Sequence, residues 1–246
     1  MANERLRATL LQQGMTPDQL AERVQVDGKT VERWVGGRVP YRRHRFAVAA
    51  ALNVNETYLW PQALSTAQLA DAAESEILTV YPHRWTVPRD VYGQLFGEAD
   101  TEIDVLVFSG TFLVDDPGML ALFAAKARAG VRIRLLLGDP ASPEVLQRSQ
   151  EEGVDDALIA RIRNALALYR PLTALDGVEL RLHGTPLYNS IYRADDEMLV
   201  NTHVYGASAT VAPVLHLRRV AGGDMVSTYL ESFERVWSDA TPWEQN

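Results

Sequence analysis

Arg38, Arg42, Arg43 and Arg45 fall within eight residues, with Tyr41 and His44 between them. Guanidinium groups at that density suit phosphate oxygens, which they grip through charge and paired N–H donors. The alternative is a solvated basic loop. Just upstream, Lys29, Glu32 and Arg33 share the outer side of a short helical pattern. There Arg33 can offer its fork to the O6 and N7 of a guanine, and Glu32 can accept from a cytosine amine. Lys29 can serve a base edge or a phosphate, and Thr16 and Gln19 can add backbone contacts; simple solvation of the helix surface is the other reading of Glu32 and Arg33. A second set of polar groups, Ser109, Tyr188, Ser190, Asn201 and His203, lies along strand-like segments and can line a small-molecule pocket. His203 reads as a ligand contact or, as is commoner for such a histidine, as a hydrogen-bonded wall residue.

Composition removes other chemistries. With no cysteine there is no thiolate nucleophile, disulfide scaffold or Cys-based metal site. His183 and His203 sit in no metal-spacing cluster, so neither a metal nor a cofactor is expected. A chain of 246 residues that is 47% hydrophobic and 23% charged is globular, which excludes disorder and fibrous classes. No apolar run approaches a membrane span, and the stretch from Met1 to Leu11 carries Glu4, Arg5 and Arg7 where a signal peptide would be apolar. A cytoplasmic protein without a membrane partner is expected. The arginine bias, 22 against 2 lysines, is that of a high-GC bacterial coding sequence.

The net charge of −8 is unevenly spread. Residues 1–60 hold 9 Lys and Arg against 6 Asp and Glu, so they carry +3; residues 61–246 hold 15 against 26 and carry −11. Such asymmetry marks a nucleic-acid-binding module joined to something else.

The elements that must position the basic residues are short helices. Thr16 is an N-cap with Pro17 in the first turn and Gln19 at the capping-box position, and Leu20, Ala21 and Val24 form the inner face. After the turn Gln25-Val26-Asp27, Asp27 caps a helix from Gly28 to Val35 that buries Val31 and Trp34. Gly36-Gly37 and Pro40 end it, and further helices are expected over about Arg42 to Leu52, burying Phe46, Val48, Ala49 and Leu52, and over about Glu56 to Ala63.

This order resembles the Xre (lambda-repressor-like) helix-turn-helix family over roughly residues 3–64. The residues that carry it are Leu20-Ala21, Val26, Thr30-Val31-x-x-Trp34, Gly37 with Pro40, and Leu52-x-Val54 followed by Tyr58-Leu59. The resemblance implies an all-α five-helix domain whose second motif helix enters the major groove of double-stranded DNA. Lys29, Glu32 and Arg33 would then face bases, with Arg38, Arg42, Arg43 and Arg45 on phosphates. Gly28, and Val35-Gly36, depart from the residues usual at their positions.

Residues 65–98 read as a helical linker, and residues 99–246 as an α/β domain. Glu102–Phe108 and Val131–Leu137 are buried-strand runs flanking a helix, a parallel βαβ unit. Helices at about Ser142–Glu152 and Val154–Leu168, strands at Val178–Leu182, Leu187–Ala194, Met198–His203 and near Val214–Val220, and a final helix from Asp224 to Trp237 complete it. Ala127-Arg-Ala-Gly-Val-Arg-Ile-Arg-Leu-Leu-Leu-Gly-Asp139, Tyr188-x-Ser190-x-x-x-x-Asp195 and Phe233-Glu-x-x-Trp237 resemble segments of the phospholipase D-like α/β sandwich fold. Active members of that family use a histidine nucleophile and a lysine, and here Tyr188 and Ser190 occupy those positions with only Asp195 retained. His216-Leu-Arg218 is a poor substitute. The resemblance implies a catalytically inactive domain that serves dimerisation or binds a small-molecule effector. The expectation is a homodimeric, sequence-specific transcriptional regulator; the alternatives are a phosphodiesterase or nuclease brought to DNA by the N-terminal module, and an antitoxin-like interaction module.

Overall fold

The computed structural model describes residues 2–54, 56–63 and 75–244. The chain divides into two compact units, Met1–Glu76 with Arg219–Met225, and Ile77–Arg218 with Val226–Asn246.

The first unit is helical: α1 (Glu4–Gln12), α2 (Pro17–Arg23), α3 (Gly28–Val35), α4 (Arg42–Leu52) and α5 (Glu56–Leu59), followed by a 3₁₀ turn at Pro61–Ala63. Its core joins Leu6 and Leu10 of α1, Leu20 of α2, Val31 and Trp34 of α3, and Leu52 of α4, with Leu59 and Trp60 closing one end. Thr16 caps α2 through a reciprocal pair, in which its Oγ1 accepts from Gln19 N at 3.2 Å and Gln19 Oε1 accepts from Thr16 N at 2.8 Å. Asp27 caps α3 by accepting from Lys29 N at 2.8 Å. A Cβ on Gly28 would lie 2.2 Å from Asp18 Oδ1, so the absent side chain lets α2 approach the start of α3.

The segment Arg219–Met225 also belongs to this unit, which the sequence reading missed. Arg5 donates to the Tyr58 carbonyl at 3.2 Å and to the Asp224 carboxylate. Buried Glu76 accepts from Asp224 N at 2.7 Å and Met225 N at 2.9 Å. Phe46, expected in the core, is instead half exposed, with the Arg42 guanidinium 5.4 Å from its ring centroid. It lies on the side of α4 that Val48, Ala49 and Leu52 leave open.

The second unit is built on one eight-stranded sheet in the order β1-β7-β6-β5-β2-β3-β4-β8. The strands are β1 (Ile77–Tyr81), β2 (Glu102–Leu106), β3 (Arg132–Gly138), β4 (Val178–His183), β5 (Asn189–Ala194), β6 (Glu197–Thr202), β7 (Val214–Arg218) and β8 (Thr241–Pro242). Only β2-β3 and β3-β4 run parallel, and every other pairing is antiparallel. The helices are α6 (Arg89–Gly97), α7 (Thr111–Val114), α8 (Pro117–Arg128), α9 (Pro143–Glu151), α10 (Ala157–Tyr169) and α11 (Met225–Asp239). The central strands are mostly buried, as strands covered on both faces must be, and their apolar residues are interrupted by buried Asp104 and Arg134.

Residues 65–98 are not simply a helical linker. Ile77–Tyr81 pairs with β7 as an edge strand, and α6 packs Tyr92, Leu95 and Phe96 into the sheet unit's core. The Ala-rich stretch 64–74, read as part of that helix, lies outside the described residues. Among the described residues no helix is long and apolar enough to cross a membrane.

Candidate functional site

Lys29, Glu32 and Arg33 stand exposed on α3, on the side opposite Val31 and Trp34, which are 0% and 4% exposed. The helix is therefore anchored by one face and presents the other. Arg38 in the following loop, and Arg42 and Arg43 in the first turn of α4, are exposed as well. Among the described residues none of Lys29, Arg33, Arg38, Arg42 and Arg43 lies within ion-pair distance of a carboxylate. Tyr41, 77% exposed, sits among them. Arg45 differs: its Nε is 2.5 Å from Glu56 Oε1 and its Nη1 donates to the Pro40 carbonyl at 3.1 Å, which ties the loop to α5. Thr16 and Gln19 are exposed but already satisfied by their mutual cap.

In the second unit Ser109, Ser190 and His203 converge on a cavity of about 330 Å³. Tyr188 and Asn201 do not line it. Tyr188 is 82% exposed, and fully buried Asn201 donates its amide to the Ala212 and Pro213 carbonyls at 3.3 and 3.1 Å. Pairing of β5 with β6 brings Ser190 and His203 together, with 3.1 Å between Ser190 Oγ and His203 Nε2. His203 Nδ1 lies 3.1 Å from the Leu187 carbonyl, so that nitrogen is assigned the proton and Nε2 accepts from the serine. Burial lowers the His203 pKa to about 4 against the Leu187 hydrogen bond, and the nearby Arg148 and Arg84 charges add to the fall. A neutral imidazole that weakly basic is poorly matched to proton transfer near neutral pH, where an effective general base has a pKa close to the working pH.

The cavity also contains residues that sequence reading missed. Arg84 donates to Thr210 Oγ1 at 2.8 Å, and its guanidinium lies 4.3 Å from the Phe112 ring centroid. Arg161 of α10 lines the cavity as well. Glu152 is matched by Arg148, whose Nε donates to it at 2.7 Å. The run His83-Arg84-Trp85 between Pro82 and Pro88 was the available signal, and only the β1-β7 pairing carries it to the sheet.

Asp195 and the remaining histidines have structural work. Asp195, at φ +48°, accepts from Asp100 N, Thr101 N and Glu102 N at 2.7, 3.0 and 2.9 Å and from the Thr101 hydroxyl. Burial pushes its carboxyl up, but these donors hold it below the usual carboxylate range. His216 pairs with Glu197 at 2.6 Å, and His183 has its Nε2 3.0 Å from the Val107 carbonyl inside the core. Among the described residues no three potential metal ligands cluster.

No protein-family model matches the chain, and no curated protein matches it. Among solved structures it is similar to TrmBL2, an archaeal chromatin protein whose structure shows a novel mode of DNA binding, at 15% identity and a TM-score of 0.45. That alignment covers 74% of this chain and 57% of TrmBL2, so the chain spans little more than half of that protein's length. It is also similar to the phospholipase D family member Nuc from Salmonella typhimurium, at 13% identity and a TM-score of 0.37, over 64% of this chain and 91% of that one.

Proposed function

We propose that this protein is a sequence-specific regulator that binds double-stranded DNA as a homodimer through α3 and the α3–α4 loop. Its sheet unit is non-catalytic and carries an effector pocket. The observation that supports the reading most strongly is the face on which Lys29, Arg33, Arg38, Arg42 and Arg43 stand exposed without a carboxylate partner among the described residues. Lys29 and Arg33, on a helix anchored from behind by Val31 and Trp34, are suited to base edges and phosphates, and Arg38, Arg42 and Arg43, in the following loop and the first turn of α4, to phosphates. The assignment of roles is that Arg33 reads a base and Glu32 accepts from one, while Arg38, Arg42 and Arg43 hold phosphates. Arg45, occupied by Glu56, supports the loop rather than the duplex.

Selection of bound duplexes from a random library with the purified protein tests the reading. Recovery of a two-fold-related motif is expected, and uniform recovery of all sequences would refute specific regulation. Arg33→Ala should relax preference at one base position in each half-site at a cost of about 1–3 kcal/mol. Arg43→Ala should instead weaken all sequences evenly. Identical changes in specificity in the two variants would contradict the division of roles.

A further inference from the structure

The pocket holding Ser190 and His203 adjoins a second cavity of about 470 Å³ with which it shares Arg84, Phe112 and Thr210. The two differ in character. Arg161, Ser109, Thr111 and Ser190 give the first a wall of cation and hydroxyl donors. Trp85, Val87, Tyr92, Leu113 and Met119 give the second an apolar and aromatic wall, with Arg89, Asp115 and Asp116 also lining it. Arg84 stands at the partition, its guanidinium over the Phe112 ring and its Nη2 on Thr210.

Two polar atoms beside the second cavity, Arg84 Nε and Tyr92 Oη, are buried without a hydrogen-bond partner among the described residues. A buried donor left unpaired is costly, so a side-chain adjustment that brought either one onto a ligand acceptor would recover free energy. The charge balance points the same way. Glu152 in the polar cavity is already matched by Arg148. Across both cavities Arg84, Arg89 and Arg161 then stand against Asp115 and Asp116, which leaves one positive charge in excess, with Arg84 and Arg161 on the polar cavity, in a segment that is otherwise strongly acidic.

We propose that the two cavities form one ligand site for an anionic small molecule with a flat apolar body. Its carboxylate or phosphate sits in the polar cavity against Arg84 and Arg161, and its ring passes the partition to lie among Trp85, Tyr92 and Phe112. The ring face and the guanidinium of Arg84 are then both used, as in aromatic sites that combine stacking with cation–π contact. This site deepens the effector reading given above and rests on it for its biological role, though not for its chemistry.

Isothermal titration of the full-length protein with 1-naphthoate, 1-naphthyl phosphate, 1-naphthalenemethanol and inorganic phosphate tests the proposal. At least one aromatic anion should bind about tenfold or more tightly than both the neutral alcohol and inorganic phosphate, and which one it is separates carboxylate from phosphate recognition. Arg84→Gln should weaken it by about tenfold or more. Arg161→Gln and Trp85→Ala, at exposed positions where folding is not at stake, should each weaken it severalfold. Absence of binding by both aromatic anions at millimolar concentration overturns the site, as does binding that is unchanged in all three variants. Inorganic phosphate binding as tightly as naphthyl phosphate overturns the two-cavity arrangement. Binding that leaves DNA affinity unchanged supports the site and sinks only the regulatory reading.

Discussion

At the residue scale, His203 sits in an environment far from that of a histidine in solution. Its ring is enclosed between Ser190 and the Leu187 carbonyl, and the folded protein keeps it neutral down to about pH 4, whereas the unfolded chain protonates it near its ordinary value of 6.5. Between those values the unfolded state binds a proton that the native state does not, so stability falls as the pH drops through that window. The single group accounts for about 3 kcal/mol across it. Buried His183 is shifted in the same direction. Urea unfolding midpoints measured from pH 7 to pH 4.5 should therefore fall for the native sequence and fall less steeply for His203→Asn. Parallel slopes for the two would show that His203 is not the titrating group. Asp195, in contrast, owes its place to the three amides and one hydroxyl it satisfies around residues 100–102, work that a turn needs with or without catalysis. The sequence made the exposure of Arg33 legible, because helical spacing alone decides which side of α3 faces away from Val31 and Trp34. It could not reveal that Tyr188 points to solvent and Asn201 into loop carbonyls, because those depend on where the chain from 203 to 213 returns.

At the element scale, local chemistry made the helices readable. Thr16 and Asp27 cap the helices they precede, Gln19 returns a bond to Thr16 from inside α2, and each of these bonds joins residues two or three apart. Thr16→Ala should lower the stability of the helical unit by about 1 kcal/mol. Measuring thermal stability and DNA affinity together separates this from a contact role; a loss of affinity with unchanged stability would place Thr16 on the duplex instead. The sheet was harder to read, since only its parallel β2-β3 step follows from a strand, helix, strand pattern. Its adjacent strands β2, β3 and β5 are bound by an ion network centred on Asp104, which is fully buried. Arg134 reaches Asp104 at 2.7 Å and Glu234 of α11 at 2.8 Å, and Arg193 reaches Asp104 at 2.5 Å. Removing the carboxylate leaves two largely buried guanidiniums with one carboxylate partner each, Glu234 for Arg134 and Glu102 for Arg193, so Asp104→Ala should cost about 3 kcal/mol, the low end for a broken buried pair. A loss under 1 kcal/mol by chemical denaturation would mean that water or another group replaces it. β1 escaped notice for a different reason: it is a five-residue edge strand whose partner lies more than 130 residues away, and its apolar residues are largely exposed.

At the scale of the whole molecule, the uneven charge is the feature with the widest consequence. A net −8 would argue against a polyanionic partner if it were uniform, but residues 1–60 carry +3 and the remainder carries −11. In the proposed regulator, affinity for a duplex rests on the few cations of α3, its following loop and α4, and each phosphate contact would add counterion release. The measurement that tests this most directly is the dependence of DNA affinity on salt, followed by fluorescence anisotropy with the full-length protein and its Arg38→Ala, Arg42→Ala and Arg43→Ala variants. Affinity should fall linearly on a log–log plot, and each variant should reduce the slope by about 1. A slope unchanged by all three substitutions, or no binding at low salt, would contradict the account.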